Sequence, residues 1–442
     1  MTLTLLVGAL FAAQLHLFVD DSEIQSLEGA RLELHHPQPQ ETVLTFDKPW
    51  EGPVSAYHSV FKDGAKYRCY YRGLRDEKSP EVTCTAESSD GIHWTKPELG
   101  TYEVLGSKAN NVVWTGDGTH NFAPFLDLNP AAKPDEKYKA VGGDPKLSGF
   151  SSPDGYHWKR VQDDPILTDG KFDSLNIAFW HPTHKRYECF LRDFKDGVRT
   201  VRMATSDDFI HWSVPVWFDF GATPAEHLYT NAIVPYFREP SIYLGFPKRF
   251  VPARTAVKDW EGGPGISDGV FMSSRDGVHW NRWREAFIRP GLDPNNWTER
   301  NMMTAWGLLE LAPGEISLYY MENYRHPACR LRRATLRTDG FVSVNAGAKG
   351  GSVVTKPFAA DGSRLVVNFA TSAAGSLRCE LQDADGRPIP GYELGACDEL
   401  FGDDLERAVT WGGKSDLGAL TGKTVRLKAT LADADLYSFR LN

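Results

Sequence analysis

The sequence lacks several features that would place it in a special class of protein. Its 442 residues include only six Cys and no Cys-x-x-Cys pair, so neither a disulfide scaffold nor a zinc site is expected. No run of about 18 apolar residues occurs, and no membrane-spanning helix is predicted. The 58 acidic residues outnumber the 49 basic ones, which disfavours a general nucleic-acid binder because phosphate contacts need a basic face. We expect no metal or cofactor.

Aromatic and apolar residues are plentiful instead. The chain is 41% hydrophobic, enough to bury a real core, and it holds 13 Trp, 16 Tyr and 24 Phe. Aromatic residues at this density are typical of β-structure and of surfaces that bind sugars. The six thiols are either buried singly or paired, and the sequence leaves open a Cys69–Cys84 and a Cys379–Cys397 pair.

The first 13 residues form an apolar segment that ends in two alanines. It resembles the apolar part of a secretory signal, although no Lys or Arg precedes it. We predict a signal peptide over residues 1–13, a mature chain that begins near Gln14 or Leu15, and a secreted or periplasmic protein. The alternative is a buried first strand.

A repeated turn organises the middle of the chain. Four segments share the pattern Ser-x-Asp-Gly-x-His-Trp or a close variant, and a fifth, weaker copy contains Asp339. Such turns join two strands, because Asp and Gly tolerate the backbone of a tight turn. The four His are therefore assigned to the turns rather than to a metal, and we expect each Trp to be largely buried beside its own hairpin. The segments are 88–94, 152–158, 206–212 and 274–280, with the repeated Asp placed at Asp90, Asp154, Asp207 and Asp276.

These copies lie 53 to 69 residues apart, a spacing typical of four-stranded blades with variable loops. Radial repetition protects the edges of such sheets. The sequence therefore predicts an all-β protein, with a five-bladed β-propeller over residues 14–350. After a Gly-rich stretch the pattern changes to short alternating strands, which predict a β-sandwich over residues 351–442.

A five-bladed propeller followed by a β-sandwich resembles the superfamily of glycoside hydrolase families 32, 43 and 68. The resemblance covers nearly the whole chain at the level of repeats and domain order. It implies an exo-acting glycosidase that removes terminal sugars from oligo- or polysaccharides, with fructosides or arabinosides as model substrates. It also implies that paired carboxylates in the funnel of the propeller carry out the cleavage. Trp50-Glu51-Gly52-Pro53 stands where family 32 has its nucleophile segment but lacks the Asp. Arg192-Asp193-Phe194 is similar to the Arg-Asp-Pro segment of that family, and Glu299-Arg300 is a loose counterpart of its Glu-Cys acid.

Position at the start of an inner strand selects the candidate catalytic residues, because only such entries face the funnel. Glu299 is the predicted general acid, Asp173 its partner carboxylate and Asp21 a third acidic member. Trp297 and the two Met that follow Asn301 offer an apolar wall that would raise the pKa of Glu299, while Arg300 would lower it if it points at the carboxylate. The remaining candidates for a nucleophile or base are Asp20, Glu51 and Asp193.

Polar residues at the same entries are the predicted sugar-binding groups, since sugar hydroxyls both donate and accept hydrogen bonds. Lys248-Arg249 is a candidate for binding an anionic group such as a carboxylate or sulfate. Two other functions stay open, a non-catalytic carbohydrate-binding propeller and a glycoside phosphorylase, and a cluster of Arg, Lys and His beside a lone acid would favour phosphorolysis. The predicted substrate-binding residues are His120, Asn121, Asn176, Asn231, Arg249 and Arg300.

Overall fold

The computed structural model describes residues 14–76, 78–258, 260 and 262–442, so the predicted signal segment 1–13 lies outside the described residues. Contacts divide the chain into a central unit, residues 36–336, and a terminal unit made of residues 14–35 and 337–442. The prediction of an all-β protein is confirmed, because the described residues form strands and short 3₁₀ turns. None of the described helices is long and apolar enough to cross a membrane. The 3₁₀ turns are Asp21–Glu23, Thr119–Asn121, Pro134–Glu136, Pro294–Asn296 and Gly418–Leu420.

The described residues of the central unit form five antiparallel sheets of four or five strands and one small sheet. The first sheet contains Ala56–Asp63, Lys66–Gly73, Val82–Ser88, Trp94–Thr95 and Val112–Thr115. The second contains Ala123–Leu126, Tyr138–Gly142, Ser148–Ser152 and Lys159–Arg160, and the third contains Ile177–His181, Arg186–Lys195, Val198–Ser206 and Val216–Trp217. The fourth contains Val234–Tyr236, Glu239–Gly245, Met272–Ser274 and Trp280–Arg282. The fifth contains Gln38–Thr45, Met303–Thr304, Leu309–Ala312, Glu315–Glu322 and Arg330–Arg337, and the small sheet contains His227–Leu228, Lys248–Val251 and Ile266–Gly269.

The first strands of neighbouring sheets lie side by side. Strand 123–126 contacts both strand 56–63 and strand 177–181. Trp306, which follows strand 303–304 of the fifth sheet, connects this sheet to two others. The N–H of Val60 in the first sheet donates to the carbonyl of Trp306 at 2.7 Å. The indole of Trp306 donates to the carbonyl of Ile233, just before the first strand of the fourth sheet, at 2.8 Å. The residues just before these strands are therefore brought towards one another.

The repeated turns join the third and fourth strands in each of the first four sheets. In the first turn, Oδ1 of Asp90 accepts two backbone N–H groups at 2.8 Å and Oδ2 lies 2.7 Å from Nδ1 of His93. The indole of Trp94 donates to the carbonyl of Gly91 at 3.0 Å, and the other three turns repeat this bond. The His side chains are exposed. Trp158 and Trp280 are buried, whereas the other two indoles are half-buried.

Two copies of the repeat differ from the prediction. In the third, Asp208 rather than Asp207 accepts the backbone N–H groups, because Phe209 takes the place of the glycine with a left-handed φ of 70°. The fifth copy belongs to the terminal unit, where the carboxylate of Asp339 accepts a hydrogen bond from Ser438 at 2.6 Å. The fifth sheet of the central unit is completed by strand 38–45, which pairs with strand 330–337.

The domain boundaries also differ from the prediction, which assigned residues 14–35 to the repeat domain and began the second domain at 351. Leu15–Leu17 pairs with Thr424–Leu441, Ile24–Glu28 with Gly351–Thr355, and Arg31–Leu34 with Val342–Ala346. These backbone ladders attach the N-terminal segment to the C-terminal one, a pairing between distant segments that local sequence patterns do not show. The terminal unit also contains Phe358–Ala359, Leu365–Asp383 and Asp403–Ala408, and its nine strands connect into one sheet.

The cysteines are free and buried. Cys69, Cys84, Cys189 and Cys329 lie in the central unit, and Cys379 and Cys397 in the terminal one. Cys84 stands opposite Tyr71 in the strand ladder, and Cys69 stands opposite Ala86, so the first proposed pair is out of register. Neither predicted pair forms a disulfide.

Candidate functional site

Each of the five sheets contributes at least one residue to a common site in the central unit. These residues lie at strand entries, the position that the sequence analysis selected. The strands concerned are 56–63, 123–126, 177–181, 234–236 and 303–304. They form a chain of contacts: Tyr57 with His120, His120 with Asp173, Tyr57 with Tyr229, and Tyr229 with Arg300. The ring centroids of Tyr57 and His120 lie 5.6 Å apart, the hydroxyls of Tyr57 and Tyr229 lie 3.3 Å apart, and the guanidinium of Arg300 lies 5.9 Å from the ring of Tyr229.

The centre of the site is an imidazole held between two carboxylates. His120 follows Gly118, whose left-handed φ of 90° opens the short 3₁₀ turn. Nδ1 of His120 lies 2.9 Å from Oε1 of Glu81, and Nε2 lies 3.1 Å from Oδ1 of Asp173. Arg72 lies above this ring, with Nη1 3.2 Å from both nitrogens.

These contacts shift the pKa values of all three groups. The hydrogen bond from His120, together with its charge and those of Arg192 and Arg300, lowers the pKa of Asp173 to about 2 against the effect of burial. The pKa of Glu81 is lowered by His120 and Arg72, although burial acts in the opposite direction. Burial alone would lower the pKa of His120, but its two carboxylate partners raise it. The site therefore holds ionised carboxylates around a histidine that keeps its proton more readily than usual.

Tyrosines and arginines form the wall beside this histidine. The guanidinium of Arg72 lies 4.8 Å from the ring of Tyr57, and its Nη2 donates to the hydroxyl of Tyr324 at 3.2 Å. Nη1 of Arg300 lies 3.5 Å from the same hydroxyl. Tyr57 and Arg300 adopt left-handed φ angles of 58° and 66°. Left-handed backbone at residues other than glycine costs about 1–3 kcal/mol and persists where the surrounding structure enforces it, often at functional sites.

Glu299 lies in the same site and is nearly buried. Its Oε2 lies 2.9 Å from Nε of Arg300, so Arg300 does point at the carboxylate. Its Oε1 is buried and accepts no hydrogen bond, and Nε of Arg325 lies 3.4 Å away from it. Glu299 and Asp173 both act electrostatically on Lys248, whose ammonium lies 4.0 Å from the centre of the Tyr229 ring. The two predicted catalytic carboxylates are thus brought to one site.

The predicted amide ligands have structural tasks instead. Asn121 donates to three backbone carbonyls and accepts the N–H of Gly143 at 2.7 Å. Asn176 donates to two carbonyls of the loop that carries Asp173 and accepts the N–H of Arg192 at 3.1 Å. Asn231 donates to the carbonyl of Phe190 at 3.2 Å. These buried side chains hold the loops of the site, because buried backbone groups must be paired.

Arg249 is likewise committed to ion pairs. It binds Asp268 through Nε at 2.8 Å and through Nη2 at 2.5 Å, and its Nη1 lies 3.3 Å from Glu226. Of the pair Lys248-Arg249, only Lys248 joins the site. Neighbouring residues of a strand point to opposite faces of its sheet, which explains this division.

The remaining candidate carboxylates belong to the terminal unit or are paired. Asp21 is exposed in a 3₁₀ turn of the terminal unit, and Asp20 caps that turn by accepting the N–H of Ser22. Glu51 is buried and accepts a hydrogen bond from Tyr71 at 2.6 Å, and Lys96 pairs with it at 2.5 Å. Asp193 pairs with Arg202 at 2.8 Å.

One group of possible metal ligands lies outside this site. Among the residues that the structure describes, His181, His184 and Glu188 place ligand atoms within 4.8 Å of one another. Glu188 also accepts hydrogen bonds from Arg186 at 3.1 Å and from Tyr243 at 2.6 Å. The carboxylate is therefore already neutralised by a guanidinium, and the cluster fits a structural network better than a cation site.

The comparisons with known proteins give structural similarity only. No family model and no curated protein matches the chain. Three of the similar solved structures are a glycoside hydrolase, an N-acetylgalactosamine deacetylase from F. plautii and a family 43 arabinoxylan arabinofuranohydrolase from Bacillus subtilis. Their identities are 14%, 13% and 10%, and their TM-scores are 0.49, 0.47 and 0.43. The matches cover 68%, 71% and 88% of this chain and 92%, 97% and 96% of those chains. Glycoside hydrolases, the class that the sequence resemblance named, are present among these structures.

Proposed function

We propose that the chain is a glycosidase whose active site is the cluster around His120, Asp173 and Glu299. The observation that carries the proposal is the half-exposed carboxylate of Asp173, with a pKa of about 2, in one site with a second, nearly buried carboxylate. Glycoside cleavage uses two carboxyl groups, one ionised and one that supplies a proton to the leaving oxygen. Asp173 is the proposed nucleophile or base. Glu299 is the proposed acid, a role that requires bound substrate to displace Arg300 and Arg325 from its carboxylate.

The architecture supports this assignment. We propose that the five sheets of the central unit are five propeller blades, because their first strands lie side by side and strand 38–45 completes the fifth sheet. In such a fold the entries of the inner strands surround one funnel. Register shifts in both long strands of the terminal unit, 365–383 and 424–441, are places where its single sheet can bend into the proposed β-sandwich.

Tyr57, Tyr229 and Tyr324 border the site with nearly buried rings and with hydroxyls that form hydrogen bonds, a combination that supports a carbohydrate substrate. Sugar-binding sites combine aromatic walls with a few polar groups that fix the orientation of the ligand. Exo-action on terminal sugars, with fructosides or arabinosides as model substrates, is the finer form of the proposal. It follows from the propeller architecture, whose funnel suits the end of a carbohydrate chain.

A second candidate is phosphorolysis of a glycoside. It is favoured by the excess of basic groups, since the site combines five arginines and one lysine with three carboxylates. The basic residues are Arg72, Arg192, Arg199, Lys248, Arg300 and Arg325, and the carboxylates are Glu81, Asp173 and Glu299. A phosphorylase would require inorganic phosphate for turnover, whereas a hydrolase would not.

The test is a screen of aryl glycosides and of plant and algal polysaccharides in buffers with and without phosphate. Once a substrate is found, Asp173→Asn and Glu299→Gln should each lower the rate by about 10²–10⁴-fold. The Glu299→Gln loss should be smaller on aryl glycosides with good leaving groups, because these need little protonation. Asp135→Asn and Glu98→Gln, at exposed positions of the central unit, are the matched controls. Turnover near that of the wild type in both site variants would refute the assignment, and binding without any cleavage would favour a carbohydrate-binding propeller.

A further inference from the structure

Four cationic side chains surround the ring of Tyr229. The ammonium of Lys248 lies 4.0 Å from the ring centre, and the guanidinium groups of Arg192 and Arg199 both lie 5.6 Å from it. Arg300, at 5.9 Å, is the fourth. We call Arg192, Arg199 and Lys248 the Tyr229 cationic cluster, because Arg300 already pairs with Glu299.

The three members of this cluster have no anionic partner among the described residues. No carboxylate of the described chain lies within ion-pair distance of Arg192, Arg199 or Lys248. The Nε atoms of Arg192 and Arg199 are buried and donate no hydrogen bond. Arg192 is only 5% exposed and Lys248 only 1% exposed, whereas Arg199 is half-buried, so water compensates the first two charges far less than it would on the surface.

Other buried cations of the central unit are paired. Arg68 lies 2.7 Å from Asp63, Lys139 lies 2.5 Å from Asp127, and Arg202 lies 2.8 Å from Asp193. These pairs follow the general rule that a charge is buried only with a partner, because an isolated buried charge is strongly unfavourable. The Tyr229 cationic cluster departs from this rule at the place where the proposed substrate would bind.

The electrostatics of Lys248 agree with an unfilled anion site. Burial, Arg300 and Arg199 lower its pKa far below the ordinary value, and Glu299 and Asp173 oppose this shift only in part. Asp173 offsets the charge of the cluster only in part, since it forms no ion pair with the three members and its Oδ1 is bound to His120. An added anion would reduce the repulsion among the three cations and favour the charged form of Lys248.

We propose that the Tyr229 cationic cluster binds an oxyanion carried by the carbohydrate, so that the substrate is an acidic sugar with a carboxylate or sulfate group. This proposal rests on the proposed function only in that the bound molecule is also cleaved. Binding of the oxyanion depends on the cluster alone. Guanidinium groups suit this task because they donate several hydrogen bonds to carboxylate, sulfate or phosphate oxygens. Inorganic phosphate offers the same chemistry from a different source, and the experiment must separate the two.

The test is isothermal titration calorimetry of the full chain at low ionic strength. The probes are methyl glucuronide, methyl galacturonide and glucose 6-sulfate, with methyl glucoside as the neutral control and inorganic phosphate as a separate arm. We expect at least one acidic probe to bind measurably more tightly than the neutral one. Arg192→Met and Lys248→Met should each weaken that binding by about tenfold or more, as for the loss of a charge-assisted hydrogen bond. Arg160→Met, which removes a guanidinium paired with exposed Asp117, should leave the affinity unchanged.

Each outcome decides a different point. Equal affinity for acidic and neutral probes, or unchanged affinity in both cluster variants, overturns the inference. If only phosphate binds and both variants abolish this, the acidic sugar is overturned in favour of phosphate as the oxyanion. Binding of an acidic probe without cleavage of any glycoside leaves the oxyanion site standing and removes the proposed function. Cleavage of neutral glycosides without binding of acidic probes would support the proposed function and overturn the oxyanion site. Arg199→Met, checked by circular dichroism, provides an independent variant if one of the first two does not fold.

Discussion

The titration of His120 offers the sharpest prediction about the site. Its imidazole lies between Glu81 and Asp173, at 2.9 and 3.1 Å, and these carboxylates raise its pKa above the ordinary value of 6.5. Asp173→Asn removes one of the two charges while it keeps the shape of the side chain. The pKa of His120 should therefore fall in this variant, and Glu81→Gln should have the same effect.

The magnitude follows from the exposure of the groups. The side chain of His120 is 37% exposed and that of Asp173 is 50% exposed, so solvent screens the pair strongly. Exposed ion pairs are worth about 0.2–1 kcal/mol, and one pKa unit corresponds to about 1.4 kcal/mol. Either substitution should therefore remove about 0.2–1 kcal/mol of stabilisation of the protonated imidazole and lower the pKa of His120. Asp135→Asn, at an exposed position between the first two strands of the second sheet, should leave the pKa of His120 unchanged.

The same shifts fix how stability depends on pH. The pKa of His120 is raised in the folded state, so its contribution is fully present below about pH 6.5 and is lost as the pH rises through the folded value. The pKa of Asp173 is lowered to about 2, so its contribution is present above about pH 3.9 and is lost as the pH falls towards 2. The pair should stabilise the fold most between about pH 4 and 6.5.

Histidine ¹³C–¹H NMR spectra recorded from pH 4 to 9 would measure this pKa, with His120→Gln to assign the signal. The expected result is a wild-type pKa above 6.5 and lower values in both carboxylate variants. A wild-type value at or below 6.5, or the same value in wild type, Asp173→Asn and Glu81→Gln, would refute the reasoning about this site.

Two further predictions concern stability. Trp280→Ala should lower the free energy of unfolding by about 3–5 kcal/mol, as for other buried aromatic residues, because the indole is buried and donates to the carbonyl of Gly277. His279→Ala, at the exposed neighbouring position, should leave the thermal midpoint nearly unchanged. Equal midpoints for both variants would contradict the structural role of the repeated turn. Arg192→Met should raise the thermal midpoint of the free protein, since it removes a buried charge that has no ion-pair partner among the described residues. Differential scanning calorimetry would measure this midpoint. A large decrease of the midpoint in a variant that folds would show that the charge stabilises the free protein.

Local signals in the sequence predicted the repeated turns well. The side chains of Ser88, Asp90 and Trp94 bond to backbone groups within the same seven residues, so the pattern carries its own structural reason. The register failed only in the third copy, where two adjacent Asp residues made the choice ambiguous and Phe209 replaced the expected glycine. The pairing of residues 14–35 with the C-terminal segment was missed, because such long-range pairing leaves no local pattern.

The site was predicted in part for a related reason. Asp173, His120, Glu299 and Arg300 lie at strand entries, and that rule of position found them. Arg72, Arg192 and Arg199 lie within or at the ends of second and third strands, where a single Arg in a sequence resembles any solvated residue. Glu81 lies in a loop before a third strand, and only the fold brings it to His120. The amides at the strand entries hold loops in the structure, a task that the sequence does not reveal, because side chains that hold a loop and side chains that bind a ligand share the same sequence position.

Cleavage of acidic carbohydrates tests the central claim most directly. Purified full-length chain and its Asp173→Asn variant would be incubated with uronic acid-containing and sulfated glycans, and with neutral ones, in phosphate-free buffer while reducing ends are measured. The account predicts product release from an acidic glycan by the wild type and a rate lower by about 10²-fold or more in the variant. Equal rates for wild type and variant, or cleavage of neutral glycans only, would contradict it.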